Sequence, residues 1–425
     1  MKNILKAAVA TAALIVSAGF ASADPQKVVW WDFLGGGDGV RMKALIADFN
    51  KENPDIQIDA TTLEWGVPFY TKVRTSAAVG QGPDVMTYHL SRIPIALDEK
   101  VLSPITDEDL ANAGLAKTDF FPRSIEAASD NGQLYAVPFD IHAFILYYNK
   151  KVLEGTPWLG ADGNITGINN VDDFTAMLKT LKDKGVETPL SVATGNDATM
   201  WRLFATLFAQ EGGQFIVGNE VLPGDNTDKA VKALKVISDW REAGYIPEQT
   251  EYPASIALFS AGGPAFHMNG VWEVPTFTDQ AKKGTLGFDW SATVIPTLMG
   301  EPATWADSHA FAIPQQPTPM DPAKRKAVME VIGWMEKHAI RWADAGHIPA
   351  YLPVATSAEY KAMMPNAQYA PLAEHAAYDP RSKIAGVASP VYDAAANIMV
   401  PAINGMLSPE DAVQQIKDQL QPLLN

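Results

Sequence analysis

Residues Gln133–Lys150 read QLYAVPFDIHAFILYYNK. Leu134 to Tyr148 form an almost unbroken apolar run, interrupted at its centre by Asp140 and His142. A run so rich in β-branched and aromatic residues is expected to be a strand buried on both faces. It is too long for one ordinary strand, and Pro138 cannot donate to a central ladder. The reading is therefore two strands end to end, Leu134 to Phe139 and Ala143 to Tyr148, with a polar crossing between them. Polar residues placed where a chain passes between two compact units belong in a crevice, and such crevices bind ligands.

Upstream of this run, Lys27 to Phe33 (KVVWWDF) reads as a strand, Gly35 to Gly39 as a turn, and Val40 to Asn50 as a helix. Ile56, Ile58 and Ala60 alternate as a second strand. Pro68 opens a helix to about Val79, and Asp84 to Tyr88 is a third strand. This strand-helix alternation predicts an α/β fold with parallel sheets flanked by helices. Ligands then lie beyond the carboxyl ends of the strands, where Asp32, Glu64, Trp65, Tyr88 and His89 fall.

Downstream, helices are expected over 171–184, 196–210 and 322–339, with another capped by Asn226 or Thr227 that buries Val231, Leu234 and Ile237, and a last one capped by Ser408. Further strands are expected at 264–272, 286–296 and 309–314. A chain of 425 residues is too long for a single core, so two lobes are expected.

Residues 1–23 have a basic start (Lys2, Lys6), an apolar stretch and an Ala21-Ser22-Ala23 cleavage pattern. They read as a secretory signal removed before Asp24. Its removal takes away two lysines and no acid, moving the formal charge from −16 to −18. That charge excludes nucleic acid and anionic membrane surfaces as partners. With no cysteine there is no disulfide framework, thiolate metal site or lipidated anchor, and the expected location is the periplasm.

Catalytic and metal motifs are missing. The seven histidines contain no pair four apart, which excludes a HExxH zinc helix. There is no G-x-S-x-G elbow, and the Gly35 to Gly39 turn lacks the Lys of a phosphate loop. No cofactor or metal is expected. Paired acids such as Asp32 and Glu64 would suit glycosidase chemistry, so an exported hydrolase or lyase stands as an alternative. The eleven tryptophans are more telling. Trp31, Trp65, Trp201, Trp272 and Trp305 lie beside turns or strand ends, several next to Glu, Asn or Asp, whereas Trp240, Trp290 and Trp334 suit packing. Sugar rings stack on indoles while their hydroxyls pair with planar polar groups.

These residues resemble the extracellular solute-binding proteins of bacterial ABC sugar importers, the group that includes maltose-binding protein. The resemblance rests on WWDF, GQGPDVM, YAVPF with LYYNK, GGPAFHMNGVWEV and Gly346-His347-Ile348-Pro349. It implies two α/β lobes joined by a three-segment hinge, with crossings near Asp140, Met268 and Gln315. The lobes would be 24–140 plus 269–314, and 141–268 plus 315–425. It also implies a non-enzymatic, cofactor-free monomer that traps a carbohydrate and delivers it to ABC permease subunits. A polyamine or phosphosugar is the alternative solute. The implied cleft residues are Asp32, Glu64, Trp65, Tyr88, His89, Asp140, His142, Trp201, Trp272 and Tyr351. Asp307 and His309 join them, at a position where members of the group often carry a Gly-Gly pair.

Overall fold

The computed structural model describes residues 24–424, so the signal sequence read over 1–23 lies outside the described residues. Two sheets organise the chain. β1 (Gln26–Asp32), β2 (Ile56–Thr62) and β3 (Val85–His89) alternate with α1 (Gly36–Glu52) and α2 (Val67–Ala78). They pair in parallel in the order β2-β1-β3. The strands His309–Ala312 and Ala136–Pro138 complete this five-stranded sheet, and both of their pairings are antiparallel.

The second sheet has seven strands and is built on Asp140–Asn149. All ten residues of that strand are buried. Ile141, Ala143, Ile145 and Tyr147 enter one hydrophobic cluster, while Phe144, Leu146 and Tyr148 enter another. That is the period-two alternation of a strand covered on both faces. The strand pairs with four segments in turn: Ile348–Pro349 beside Asp140 and Ile141, Thr304–Asp307 beside His142 and Ala143, Phe266–Gly270 beside 144–148, and Trp290–Thr293 beside 146–149. The polar pair Asp140 and His142 therefore lies within the second strand, not between two strands, and the junction is Phe139.

The two-lobed α/β expectation holds, but the strands are shared out differently from the expected division. Phe266–Gly270 pairs along its whole length with the central strand, so the chain does not leave the larger sheet near Met268. Of the segment 269–314, only His309–Ala312 pairs in the smaller sheet; Trp290–Thr293 and Thr304–Asp307 pair in the larger one. Nor does the chain change sheets near Gln315. The helix Pro322–Lys337 packs against β1 and against the helix Asp107–Ala113, on the smaller sheet. Gly333 permits that approach, since a Cβ there would sit 2.0 Å from the Ala113 carbonyl oxygen. The chain thus passes between sheets at Phe139, at Ser308, and between Lys337 and Ile348.

Gly35 to Gly39 also differs from the expected turn, because α1 begins at Gly36. The helical cost of these glycines is offset by close packing. A Cβ on Gly37 would lie 2.7 Å from Pro275, and one on Gly39 would lie 2.4 Å from the Leu34 carbonyl oxygen. No helix among the described residues is long and apolar enough to cross a membrane.

Candidate functional site

The three passages between the sheets converge on Asp140. Its carboxylate is fully buried and accepts hydrogen bonds from the His309 backbone N–H (2.9 Å), His309 Nδ1 (2.8 Å), His142 Nδ1 (3.1 Å) and Trp342 Nε1 (2.7 Å). His347 Nδ1 lies 3.3 Å from the same carboxylate, and His347 Nε2 lies 3.1 Å from Asp38 Oδ2 in the first turn of α1. Burial alone would raise the Asp140 carboxyl, but His309, His347 and the hydrogen bonds hold it well below the usual range. For His347 the opposite balance applies: burial pulls it down, yet Asp38 and Asp140 together raise it. Burial, aided by His309, pushes His142 down to about 3.

A second group of side chains continues from this junction. His142 meets Trp272 edge-on at 5.8 Å, and Trp272 meets Trp305 edge-on at 6.4 Å. The Arg202 guanidinium sits 4.7 Å from the centre of each indole, within cation–π range of both. Trp272 Nε1 donates to Tyr252 Oη, which in turn donates to Glu273. Trp305 Nε1 and Trp201 Nε1 both donate to Asp379 Oδ1 at 2.8 Å. Among the described residues, Arg202 Nε and Asp379 Oδ2 are buried without a hydrogen-bond partner. Buried polar atoms are rarely left so, because each costs about 1–3 kcal/mol. Asp307 accepts from Ser91 N–H (3.0 Å), Ser91 Oγ (2.6 Å) and Ser308 N–H (2.8 Å). Burial, reinforced by Asp379, still pushes it up to about 7.

Six of the residues expected from sequence are brought together here: His89, Asp140, His142, Trp272, Asp307 and His309. His89 stacks on Phe33 at 4.6 Å, lies 5.5 Å from His142, and bonds to Tyr70 Oη. Trp65 stands at the margin, 43% exposed, with its edge toward His89 at 6.3 Å. Asp32 is buried one step away and accepts from the Leu34 N–H and Thr62 Oγ1.

The other four lie elsewhere. Glu64 is on the exposed loop after β2. Tyr88 is buried within the first lobe against Tyr70. Trp201 is buried against Phe204 and Phe215, and its Nε1 reaches the site through Asp379. Tyr351 packs on Phe120. Arg202 and Asp379 were not expected. Arg202 lies on the helix Asp197–Gln210 and Asp379 in a loop, and neither carries a local signal.

A two-lobed α/β fold with a polar, aromatic junction between its sheets defines a binding protein of the hinged type. The family model for bacterial extracellular solute-binding proteins matches residues 36–339, and the chain belongs to that family. A maltotriose-binding protein of Pyrococcus abyssi (strain GE5 / Orsay) is 22% identical over 275 residues, 64% of this chain; the match spans only about half of that relative, 54%. A maltooligosaccharide ABC transporter solute-binding lipoprotein of Streptococcus pneumoniae (strain ATCC BAA-255 / R6) is 25% identical over 351 residues, 80% of this chain and 77% of that protein.

Among solved structures, the GacH receptor of Streptomyces glaucescens GLA.O superposes with a TM-score of 0.78 at 17% identity, covering 94% of this chain and 98% of that one. The maltose-maltodextrin binding protein of Alicyclobacillus acidocaldarius gives 0.72 at 18% identity, covering 93% and 100%. At these identities the structural likeness establishes the fold.

Proposed function

We propose that this chain is the solute-capturing component of a bacterial ABC importer, and that its solute is a carbohydrate held between the lobes. One observation carries the reading: the unpartnered Arg202 Nε and Asp379 Oδ2 lie beside the indoles of Trp272 and Trp305. Flat apolar faces next to spare donors and acceptors suit a sugar ring and its hydroxyls. The names of the relatives, which bind maltotriose or maltooligosaccharides, agree with this class. His89, His142, Asp307 and Trp65 complete the proposed contact set, with Asp32, Asp140 and His309 supporting it from the hinge.

In this reading the first lobe is 24–139 plus 309–347, and the second is 140–307 plus 348–424. Solute binds one lobe, and contacts from the other stabilise closure. Reversing a hundredfold preference for the open form requires about 5.5 kcal/mol of differential binding. Binding is favoured over hydrolysis because Asp140 and Asp307 are already occupied by hydrogen bonds from the protein. The protein acts in the periplasm as a monomer, without enzymatic activity, and presents its closed form to the permease.

The test is to denature the purified protein, identify any released small molecule by mass spectrometry, and run a thermal-shift panel on the refolded chain. A sugar that is released, or that raises the melting temperature dose-dependently, supports the reading. A polyamine or phosphosugar doing so in place of every neutral sugar overturns the ligand class.

A further inference from the structure

We propose that Asp140, His142, His309 and His347 form a binding site for a divalent transition-metal ion, with zinc the best match. All four side chains are buried, and one donor atom from each lies within 4.8 Å of all the others. The imidazole Nδ1 atoms of His309, His142 and His347 stand 2.8, 3.1 and 3.3 Å from the Asp140 carboxylate. In a tetrahedral zinc site with bonds of about 2.0–2.1 Å, neighbouring donors are separated by roughly 3.3–3.4 Å. Small outward shifts of two rings would make room for the ion.

An independent observation points the same way. His347 Nδ1 is fully buried, faces this cluster, and has no hydrogen-bond partner among the described residues. Its other nitrogen faces Asp38 Oδ2 at 3.1 Å. A histidine that gives one nitrogen to an outer carboxylate and turns the other, without a hydrogen bond, toward a cluster of donor atoms has the arrangement of a metal-ligating imidazole with its outer partner. Trp342 Nε1 and the His309 N–H likewise orient the Asp140 carboxylate from outside the cluster. Three imidazoles and one carboxylate make a nitrogen-rich, thiolate-free donor set, which suits zinc better than magnesium or calcium.

The ligands come from all three passages between the sheets: Asp140 and His142 from the first, His309 from the second and His347 from the third. A bound ion would tie these segments together at the pivot. This goes beyond the transport reading and does not depend on which solute is carried.

The experiment uses the full mature chain, unfolded in chelator and refolded with or without zinc. The expected result is one zinc per chain by elemental mass spectrometry, a higher melting temperature with zinc, and tetrahedral visible bands when cobalt replaces it. Asp38→Asn should weaken zinc binding by roughly tenfold to a hundredfold, and His347→Gln should abolish it. His338→Gln, on the far end of the helix Pro322–Lys337, should leave it unchanged.

Substoichiometric zinc in the wild type, or equal uptake by wild type and His347→Gln, overturns the proposal. If His347→Gln does not fold, the cobalt spectrum of the wild type decides, and absence of tetrahedral bands overturns it. Sugar binding is measured on the same samples. A chain that binds sugar but takes up no zinc removes the metal site and leaves the transport reading standing; the converse removes the transport reading alone.

Discussion

Replacing Asp140 by Asn tests the hinge junction directly. The carboxylate accepts on both oxygens: Oδ1 from His142 Nδ1 and the His309 N–H, Oδ2 from His309 Nδ1 and Trp342 Nε1. An amide keeps one oxygen and turns an NH2 group toward two of these donors. Leaving two buried donors unpaired costs about 1–3 kcal/mol each, and His347 also loses one of its two carboxylates. Removing one partner from a buried charged pair typically costs 3–5 kcal/mol. Asp140→Asn is therefore expected to lower the unfolding free energy by about 3–5 kcal/mol.

The assay is equilibrium urea unfolding in chelator without sugar, followed by tryptophan fluorescence and circular dichroism together. A double-mutant cycle with His309→Gln should return a coupling of about 1–3 kcal/mol, because the His309 side chain donates directly to the buried Asp140 carboxylate. A loss below about 1 kcal/mol for Asp140→Asn, or strict additivity in the cycle, would refute the claim that this carboxylate joins the crossing segments.

Three further outcomes are expected. Trp65→Ala should weaken sugar binding by roughly tenfold in calorimetry, about 1.4 kcal/mol, while leaving the melting temperature nearly unchanged, since Trp65 is 43% exposed; a stability loss without an affinity loss would assign it to packing. His267 is buried, donates from Nδ1 to the Ser191 carbonyl and faces Asn269 through Nε2, and burial pushes it down to about 3. Its folded pKa lies below its unfolded value, so unfolding takes up a proton below about pH 6.5, and stability falls with pH by about 1.4 kcal/mol per unit; His267→Gln should remove that part of the slope in urea titrations between pH 6.5 and 4.5. Glu336 is buried with neither oxygen partnered among the described residues, and burial pushes its carboxyl well up. Glu336→Met should raise the unfolding free energy by about 1–3 kcal/mol, and a loss would show that the acid has a partner or role of its own.

The fold was legible where the local pattern was long. The long apolar run announced a strand buried on both faces over Ala143 to Tyr148, though not that Asp140 and His142 belong to it, and the repeated strand-helix units announced the first sheet. The second and third passages between the sheets were not legible, because their strands are short. Thr304–Asp307 has four residues and Ile348–Pro349 two, too few to show a period. The docking of the helix Pro322–Lys337 on the first lobe depends on Gly333, whose role emerges only when the Ala113 carbonyl lies against it.

The site divides in the same way. Asp140 and His142 stood out as polar residues in an apolar run, and Trp272 as an aromatic beside Asn269-Gly270. Arg202 is one turn of a helix away from ordinary packing residues, and Asp379 sits in a loop with no motif around it. Tertiary packing alone brings them to the indoles. His347 was visible in a Gly-x-x-Pro motif, but its convergence with His142 and His309 needed all three passages in place.

The central claim is that the chain captures sugar between its lobes without transforming it. Calorimetric titration of solute-stripped protein with a panel of neutral mono- and oligosaccharides, with product analysis of each titrated sample, tests it most directly. The account predicts saturable one-to-one binding of at least one sugar, recovered unchanged. Heats of dilution alone for every sugar, or conversion of the bound sugar to product, would contradict it.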